Sequence, residues 1–173
     1  MTLEQLFAGR NINLEESRAR LRRVAEELEL PLGERDRSYN SRLAQELAKW
    51  AEEKGKGDAF HDAVFRAYFA DCKNIGKPDV LVDLAKSLGL PEKEARKVLE
   101  TRAYKEPVDS DWMRSRELGI TAVPTFVLER HAVVGAQPYE VLEEFVKNNG
   151  VKARPAGAPP RSNRKGAVRK KAM

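Results

Sequence analysis

Apolar residues recur at helical spacing along most of the chain. Between residues 14 and 28 they fall on one face of a segment otherwise made almost entirely of glutamate and arginine, which predicts an amphipathic helix. Glycine or proline lies shortly beyond each stretch of this kind, as is typical of helix ends. The same spacing predicts further helices over about 40–54, 58–69, 80–88, 91–99 and 107–118.

The predicted helix that begins at residue 58 has the widest apolar face. Phe65 and Phe69 broaden the stripe that starts at Phe60, so we expect contacts on two sides and a central place in the core. We expect Trp50 and Trp112 to be core aromatic residues as well.

A strand pattern is confined to one region near the C-terminal end. Residues 124–128 (PTFVL) and 132–134 (AVV) flank a polar turn, which predicts a β-hairpin, and a last helix is predicted from Pro138. Helices, then a hairpin, then a helix is the order of a mostly helical α+β protein. Because residues 126–128 are apolar in succession, we expect an interior strand, buried on both faces, whose neighbours lie outside this chain.

Length and charge suggest one domain with a basic tail. The chain has 173 residues, which suits a single globular domain. Residues 151–173 contain eight basic residues and no acidic residue, so they contribute +8 to the net charge of +5. Residues 1–150 therefore carry a net charge of −3. We expect residues 151–173 to form a disordered basic tail, either a solubilising extension or a weak binding arm for nucleic-acid phosphates.

The sequence predicts neither a membrane span nor a secretion signal. No stretch reaches the roughly 18 consecutive apolar residues of a transmembrane helix, and the first ten residues lack a basic-then-apolar layout. We therefore expect a soluble, cytoplasmic protein. Nothing resembles a phosphate-binding glycine loop, and we predict no cofactor.

Cys72 is the only cysteine of the chain. A single thiol excludes an internal disulfide, a dithiol redox pair and a multi-cysteine zinc site within these 173 residues. The neighbouring Asp71 opposes thiolate formation whereas Lys73 favours it, and we predict a passive thiol. We predict no metal site.

The other polar residues of interest are expected to have structural roles. We expect His61 to be a partly buried helix residue bonded to a neighbour, and His131 to lie in the hairpin turn. Asp109 and Asp111 lie near a predicted helix start, where carboxylates meet the amide dipoles, so we interpret them as helix caps.

Several segments resemble the DsbA family of thioredoxin-like oxidoreductases, and most closely its FrnE-like branch. Residues 121–127 (TAVPTFV), followed by residues 135–138 (GAQP), look like the end of the thioredoxin domain in that family. Residues 39–42 (YNSR), 60–69 (FHDAVFRAYF) and 74–76 (NIG) resemble the helical insertion of those proteins in order and spacing. The resemblance covers nearly all of the chain that precedes the basic tail.

The resemblance implies an incomplete thioredoxin fold. We expect a DsbA-like domain over residues 1–150, with a helical insertion over about 14–118 and the thioredoxin hairpin and last helix over about 120–148. Proteins of the family begin with a strand, a Cys-x-x-Cys motif at a helix start and a second strand, which would all precede Met1. Because that motif supplies the attacking and the resolving thiol, we expect no dithiol exchange by this chain alone.

The resemblance also implies a binding surface. It implies a cis peptide bond between Val123 and Pro124, whereas the residues alone favour a trans bond at the start of an edge strand. We expect the open sheet edge to be covered by a second copy of the chain or by a complementing chain. The surface implied to pair with an extended peptide or protein substrate consists of Val123, Pro124, Thr125, Gly135, Ala136 and Gln137.

Three functions stay open on the sequence. The first is a homologue of DsbA-family thiol-disulfide oxidoreductases that is inactive as a lone chain, and the resemblance favours it for ancestry. The second is a non-catalytic module that binds a peptide or a partner. The third is a remnant of a glutathione-dependent 2-hydroxychromene-2-carboxylate isomerase or transferase, which the residues 135–137 match less well.

Overall fold

A computed structural model describes residues 1–153 of the chain. These residues form two compact units, of which the first spans Met1–Glu117 and the second begins at Leu118. All but the first three residues of the predicted basic tail lie outside the described residues, so the disorder of the tail stays a prediction. The division of the chain into a domain of residues 1–150 and a tail stays a prediction as well.

Unit 1, the residues Met1–Glu117, is built from helices joined by short turns. Its first residues are held by an isolated β-bridge between Thr2 and Arg37, beside which the Leu3 N–H donates to the Asp36 carbonyl at 2.7 Å. The elements are α1 (Leu3–Phe7), α2 (Leu14–Glu27), α3 (Arg42–Glu53), α4 (Gly57–Phe65), which continues as a π-helix (Arg66–Ala70), α5 (Pro78–Ser87), α6 (Glu92–Thr101) and α7 (Lys105–Glu117).

The helix starts of unit 1 follow local sequence signals. The Asn13 side chain accepts a hydrogen bond from the Glu16 N–H at 3.1 Å and so caps α2. Pro78 is the first residue of α5, where the N–H that proline lacks would have no partner. The helix α7 begins at Lys105, earlier than predicted, because Pro107 is tolerated within the first turn for the same reason.

The core of unit 1 lies between α3, α4, α5 and α6. Leu47, Phe60 and Leu81 are fully buried there, and the core position predicted for Trp50 is confirmed by its 4% exposure. The helix predicted from residue 58 contributes Phe60 and Ala67 to this core, but contacts on two sides are not formed at Phe65, which is 61% exposed. The helix α3 is the more central element, because it contacts α4, α5, α6 and α7 and buries six residues.

Trp112 lies at the surface of unit 1, so its predicted place in the core is wrong. Its side chain is 41% exposed. The indole Nε1–H donates to Gln45 Oε1 at 2.7 Å, and the Arg42 guanidinium lies 4.8 Å from the ring centre. A hydrogen bond and a cation–π contact therefore hold this ring against α3 without burying it.

Unit 2 consists of a β-hairpin followed by one helix in its described part. The strands β1 (Thr125–Leu128) and β2 (His131–Val134) pair antiparallel, from Thr125 opposite Val134 to Leu128 opposite His131. His131 therefore belongs to β2 rather than to the turn, which consists of two residues only. The helix α8 (Tyr139–Asn148) follows and has no buried residue.

The strand β1 is not the interior strand that its sequence predicts. Phe126 is 39% and Val127 is 42% exposed, because the sheet formed by the described residues has only two strands. Both outer edges of the hairpin are open within this part of the chain. Two strands alone are marginally stable in water, so the hairpin depends on further packing.

No helix within residues 1–153 is both long enough and apolar enough to cross a bilayer.

A buried carboxylate connects α3 with the last two helices of unit 1. Glu46 is fully buried and accepts hydrogen bonds at 2.7 Å from Arg42 Nε and from Arg102 Nε and Nη2. Arg42 Nη2 also donates to Asp109 Oδ1 at 2.5 Å and to the Lys105 carbonyl at 2.9 Å. The network therefore joins α3, the turn after α6 and the start of α7.

The same network corrects the roles predicted for two aspartates. Asp109 lies in the second turn of α7 and accepts from Arg42 and from Lys105 Nζ, at 2.5 and 2.6 Å. Asp111 pairs with Lys49 Nζ at 2.6 Å. Neither caps the helix, because α7 begins at Lys105 and both carboxylates lie beyond its first four residues.

We predict that Glu46→Gln lowers the free energy of unfolding by about 3 kcal/mol, because it leaves two guanidinium groups with a neutral partner in a buried site. Chemical denaturation measures the loss. The exposed residue Glu52 on the same helix provides the control, since Glu52→Gln leaves Glu46 and its partners in place. Equal stability of the two variants would contradict a stabilising role for the buried carboxylate.

The pH dependence of stability follows from the same group. Hydrogen bonds from Arg102 and then from Arg42 hold the pKa of Glu46 below its usual value, although burial acts in the opposite direction. A depressed pKa gives stability that is present above the unfolded-state pKa of about 4.3 and is lost as the pH falls towards the folded-state pKa. The melting temperature of Glu46→Gln should therefore fall less steeply in acid than that of the parent chain.

Candidate functional site

The predicted site residues come together at the open end of the hairpin in unit 2. Thr125 pairs with Val134 at the end of the ladder, and the Gly135 N–H donates to the Pro124 carbonyl at 2.8 Å. The segment before β1 and the segment after β2 therefore lie side by side. Of the six residues, Thr125, Gly135 and Gln137 are partly buried, whereas the other three are exposed.

A short loop presents Val123 to solvent. The Val123–Pro124 peptide bond is cis, and the Thr125 Oγ1–H donates to the Ala122 carbonyl at 2.6 Å across the loop. The side chain of Val123 is 87% exposed. Within residues 1–153 the backbone N–H and carbonyl of Val123 make no hydrogen bond. One donor and one acceptor of the main chain are thus free next to an open strand edge.

The segment after β2 is fixed by its backbone and by one amide side chain. Gly135 has a φ of 93°, a conformation that side chains rarely allow and that accounts for glycine at this position. The Gln137 Nε2–H donates to the Val134 carbonyl at 2.8 Å and so folds the segment back on β2. Ala136 lies exposed between these two residues.

The chemistry of the six residues suits binding rather than proton or group transfer. They include no carboxylate, imidazole, amine or thiol. What they offer is main-chain donors and acceptors, one hydroxyl that is already donating, and small apolar side chains. Sequence reasoning missed the carbonyls of Ala122 and Val134, because a backbone acceptor leaves no signal in the residue type.

Cys72 lies in unit 1, in the turn after the π-helix. Its thiol is partly buried and lies 3.4 Å from the Glu34 carbonyl, to which it can donate. The preceding helix ends at Ala70, so the thiol is near the negative end of a helix dipole. Reactive thiolates are found instead at the opposite, N-terminal end of helices.

His61 has neither the burial nor the bond predicted for it. It is exposed on α4, and no hydrogen bond to its side chain is formed within the described part of the chain. The helix turns its apolar side towards the core through Phe60 instead, and this leaves the next residue at the surface. No cluster of three or more metal-ligating side chains is found among residues 1–153.

Comparison with known proteins establishes the family. The profile of the DSBA-like thioredoxin domain matches residues 6–147, and the chain belongs to this family. The protein YwbO of Bacillus subtilis is 35% identical over 107 residues, which are 61% of this chain and 54% of YwbO. This chain therefore spans about half the length of that relative.

Solved structures agree with the family. The crystal structure of a probable DsbA oxidoreductase from Streptomyces coelicolor has a TM-score of 0.73 and 32% identity, over 88% of this chain and 68% of that chain. A structure of 2-hydroxychromene-2-carboxylate isomerase has a TM-score of 0.68 and 20% identity, over 79% of this chain and 66% of that chain, which is a likeness of fold. The family and the mostly helical α+β fold predicted from the sequence are confirmed.

We predict that Thr125→Val loosens the loop before β1. The variant keeps the shape of the side chain but removes the hydrogen bond to Ala122, a loss of about 1 kcal/mol. Hydrogen exchange of the hairpin amides, followed by mass spectrometry, should become faster. Thr121→Val is the matched control, because Thr121 is exposed and outside the hairpin. Equal exchange in both variants would show that the hydroxyl does not close the loop.

Proposed function

We propose that this chain is a binding member of the DSBA-like family that does not exchange disulfides on its own. It binds an extended peptide through the loop around Val123 and the adjoining edge of β1. The observation that carries the proposal is that, among the described residues 1–153, the main-chain donor and acceptor of Val123 are free and the neighbouring strand edge is open.

The cysteine content supports the absence of dithiol exchange. Exchange needs a thiolate that attacks and a second thiol that resolves the mixed disulfide. The 173 residues contain Cys72 alone, and its surroundings lack the helix N-terminus at which reactive thiolates form. A single thiol of this kind can form at most a mixed disulfide with another molecule.

The hairpin geometry supports peptide binding by strand addition. In this mode an extended segment joins a sheet edge, and main-chain hydrogen bonds supply the affinity. Val123 and Pro124 directly precede the first residue of β1, Thr125, and the Gly135 N–H bonds to the Pro124 carbonyl on the side of β2. Ala136 and Gln137 continue the segment that follows β2. The exposed side chain of Val123 adds an apolar contact.

The open edges of the hairpin also support the proposal of a permanently associated partner chain. Unpaired strand edges invite pairing, and a two-stranded sheet with exposed apolar residues on β1 is marginal alone. A second copy or a complementing chain of the same family would supply the missing strands. Descent from a glutathione-dependent isomerase and weak nucleic-acid binding by the tail stay predictions, as does a cytoplasmic location.

We predict that the pure chain does not accelerate insulin reduction by dithiothreitol, with a Cys-x-x-Cys thioredoxin as the positive control. The reason is that no resolving thiol is present in the chain. Precipitation of the insulin B chain, followed by turbidity, measures the rate. Acceleration that disappears in Cys72→Ser would contradict the proposal.

We predict that Val123→Pro weakens peptide binding about tenfold, because it removes the free N–H while leaving the carbonyl. The probe is fluorescein-labelled, reduced and alkylated insulin B chain, followed by fluorescence anisotropy. Val123→Ala is the matched control, since it keeps both main-chain groups and should bind within about threefold of the parent. Undiminished binding by Val123→Pro would contradict recognition through the main chain.

A further inference from the structure

One face of unit 1 leaves a set of large apolar side chains uncovered. The helix predicted between residues 14 and 28 is present as α2, but Ala25 is its only buried residue. Leu21 is 50%, Val24 is 42% and Leu28 is 62% exposed, although all three lie on its apolar face. Phe65 at the end of α4 is 61% exposed. Exposed apolar residues that form a contiguous patch mark interaction sites.

All of these side chains except Leu28 line adjacent hollows rather than a flat surface. One hollow of about 370 Å³ lies between α2 and the π-helix and is lined by Leu21, Val24, Leu30 and Phe65. A second, of about 460 Å³, begins on the other side of Phe65 and continues past Tyr39 and His61. Phe65 and Phe69 line both, and we call the two hollows together the trough.

The π-helix supplies aromatic side chains that line the trough. Its wider turns follow directly on α4 and include Tyr68 and Phe69. Phe65 and Phe69 stack with ring centres 6.1 Å apart, and Tyr68 stands edge-on to Phe69 at 4.8 Å. Short π-helical turns within helices occur frequently at functional sites, where they change the direction of side chains. The three rings form the aromatic wall of the trough.

The charged side chain that lines the trough is a cation. Arg66 lines it and makes no ion pair with any residue of the described chain. Arg35 does not line the trough: it lines the adjoining hollow together with Glu34 and Asp36, and its guanidinium stacks over the Tyr68 ring at 3.9 Å. Arg22 lies in an adjoining hollow but pairs with Glu34. A carboxylate on an occupant of the trough would therefore meet Arg66, which has no acidic partner among residues 1–153.

We propose that the trough is a docking site for an acidic amphipathic helix of a partner protein. Unit 1 is described in full and contains no strand beyond an isolated bridge, so it offers no edge for an extended peptide. Recognition must therefore use side chains, as when an apolar helix face enters a groove. Arg66 favours a carboxylate on the flank of that helix.

Other occupants fit the trough less well. A bilayer is contacted by an apolar face that protrudes, whereas these residues line hollows between two helices. The C-terminal residues of this chain carry basic side chains without a single acid, so their charge does not complement Arg66. We therefore favour a partner protein as the occupant. The experiment also detects binding of a second copy of the chain or of an anionic membrane.

The test uses the full chain and a labelled helical peptide of leucine, alanine and glutamate, with leucines at helical spacing. Its counterpart has lysine in place of glutamate. We expect the acidic peptide to bind, as followed by fluorescence anisotropy, and the basic one not to bind. Phe65→Ser and Arg66→Glu should each weaken binding about tenfold. Both residues are exposed, and the melting temperature of each variant confirms folding.

The matched control is Arg23→Glu, a charge reversal on α2 outside the trough, which should leave binding unchanged. Equal binding of both peptides, or equal weakening by Arg23→Glu, would overturn the proposal. So would binding of the chain to anionic phosphatidylserine vesicles in preference to the peptide. Self-association that Phe65→Ser abolishes in sedimentation experiments would assign the trough to a second copy instead. Val123→Pro should not affect this peptide, which separates the trough from the hairpin loop.

Discussion

The fold of unit 1 depends on one buried charge and on the two arginines that neutralise it. Glu46 lies where its helix would otherwise present an apolar residue, and a buried carboxylate without partners would be strongly destabilising. Arg42 comes from one turn earlier, whereas Arg102 follows α6 with a positive φ of 53°. The turn after α6 therefore takes the conformation that delivers a guanidinium to the core, and α7 begins immediately beyond it.

The two units differ in what holds them together. Unit 1 has a core of interlocking side chains between four helices and a surrounding set of ion pairs. The described part of unit 2 has no fully buried residue, and main-chain hydrogen bonds account for much of its order. The profile of the DSBA-like domain matches residues 6–147 and so extends over both units.

The sequence predicted the secondary structure correctly where apolar periodicity and glycine or proline at the ends of elements determine it. The helices, the hairpin and the cis bond before Pro124 follow from apolar spacing, glycine, proline and family motifs. It failed for Trp112, His61 and Asp109, because their surroundings depend on which helix packs opposite them. Apolar spacing identifies which face of a helix is apolar but not what packs against that face. The helix α2 therefore forms where it was predicted, yet most of its apolar face is exposed.

The loop around Val123 has one consequence for the range of ligands. Every contact it offers comes from the main chain or from a small uncharged side chain, and no ionisable group adjoins it among the six residues. Hydrogen bonds between main chains do not depend on which side chains the bound peptide carries. The peptide site that we propose here would therefore discriminate by shape: it would accept an unfolded stretch that can lie straight and exclude one already folded into a helix.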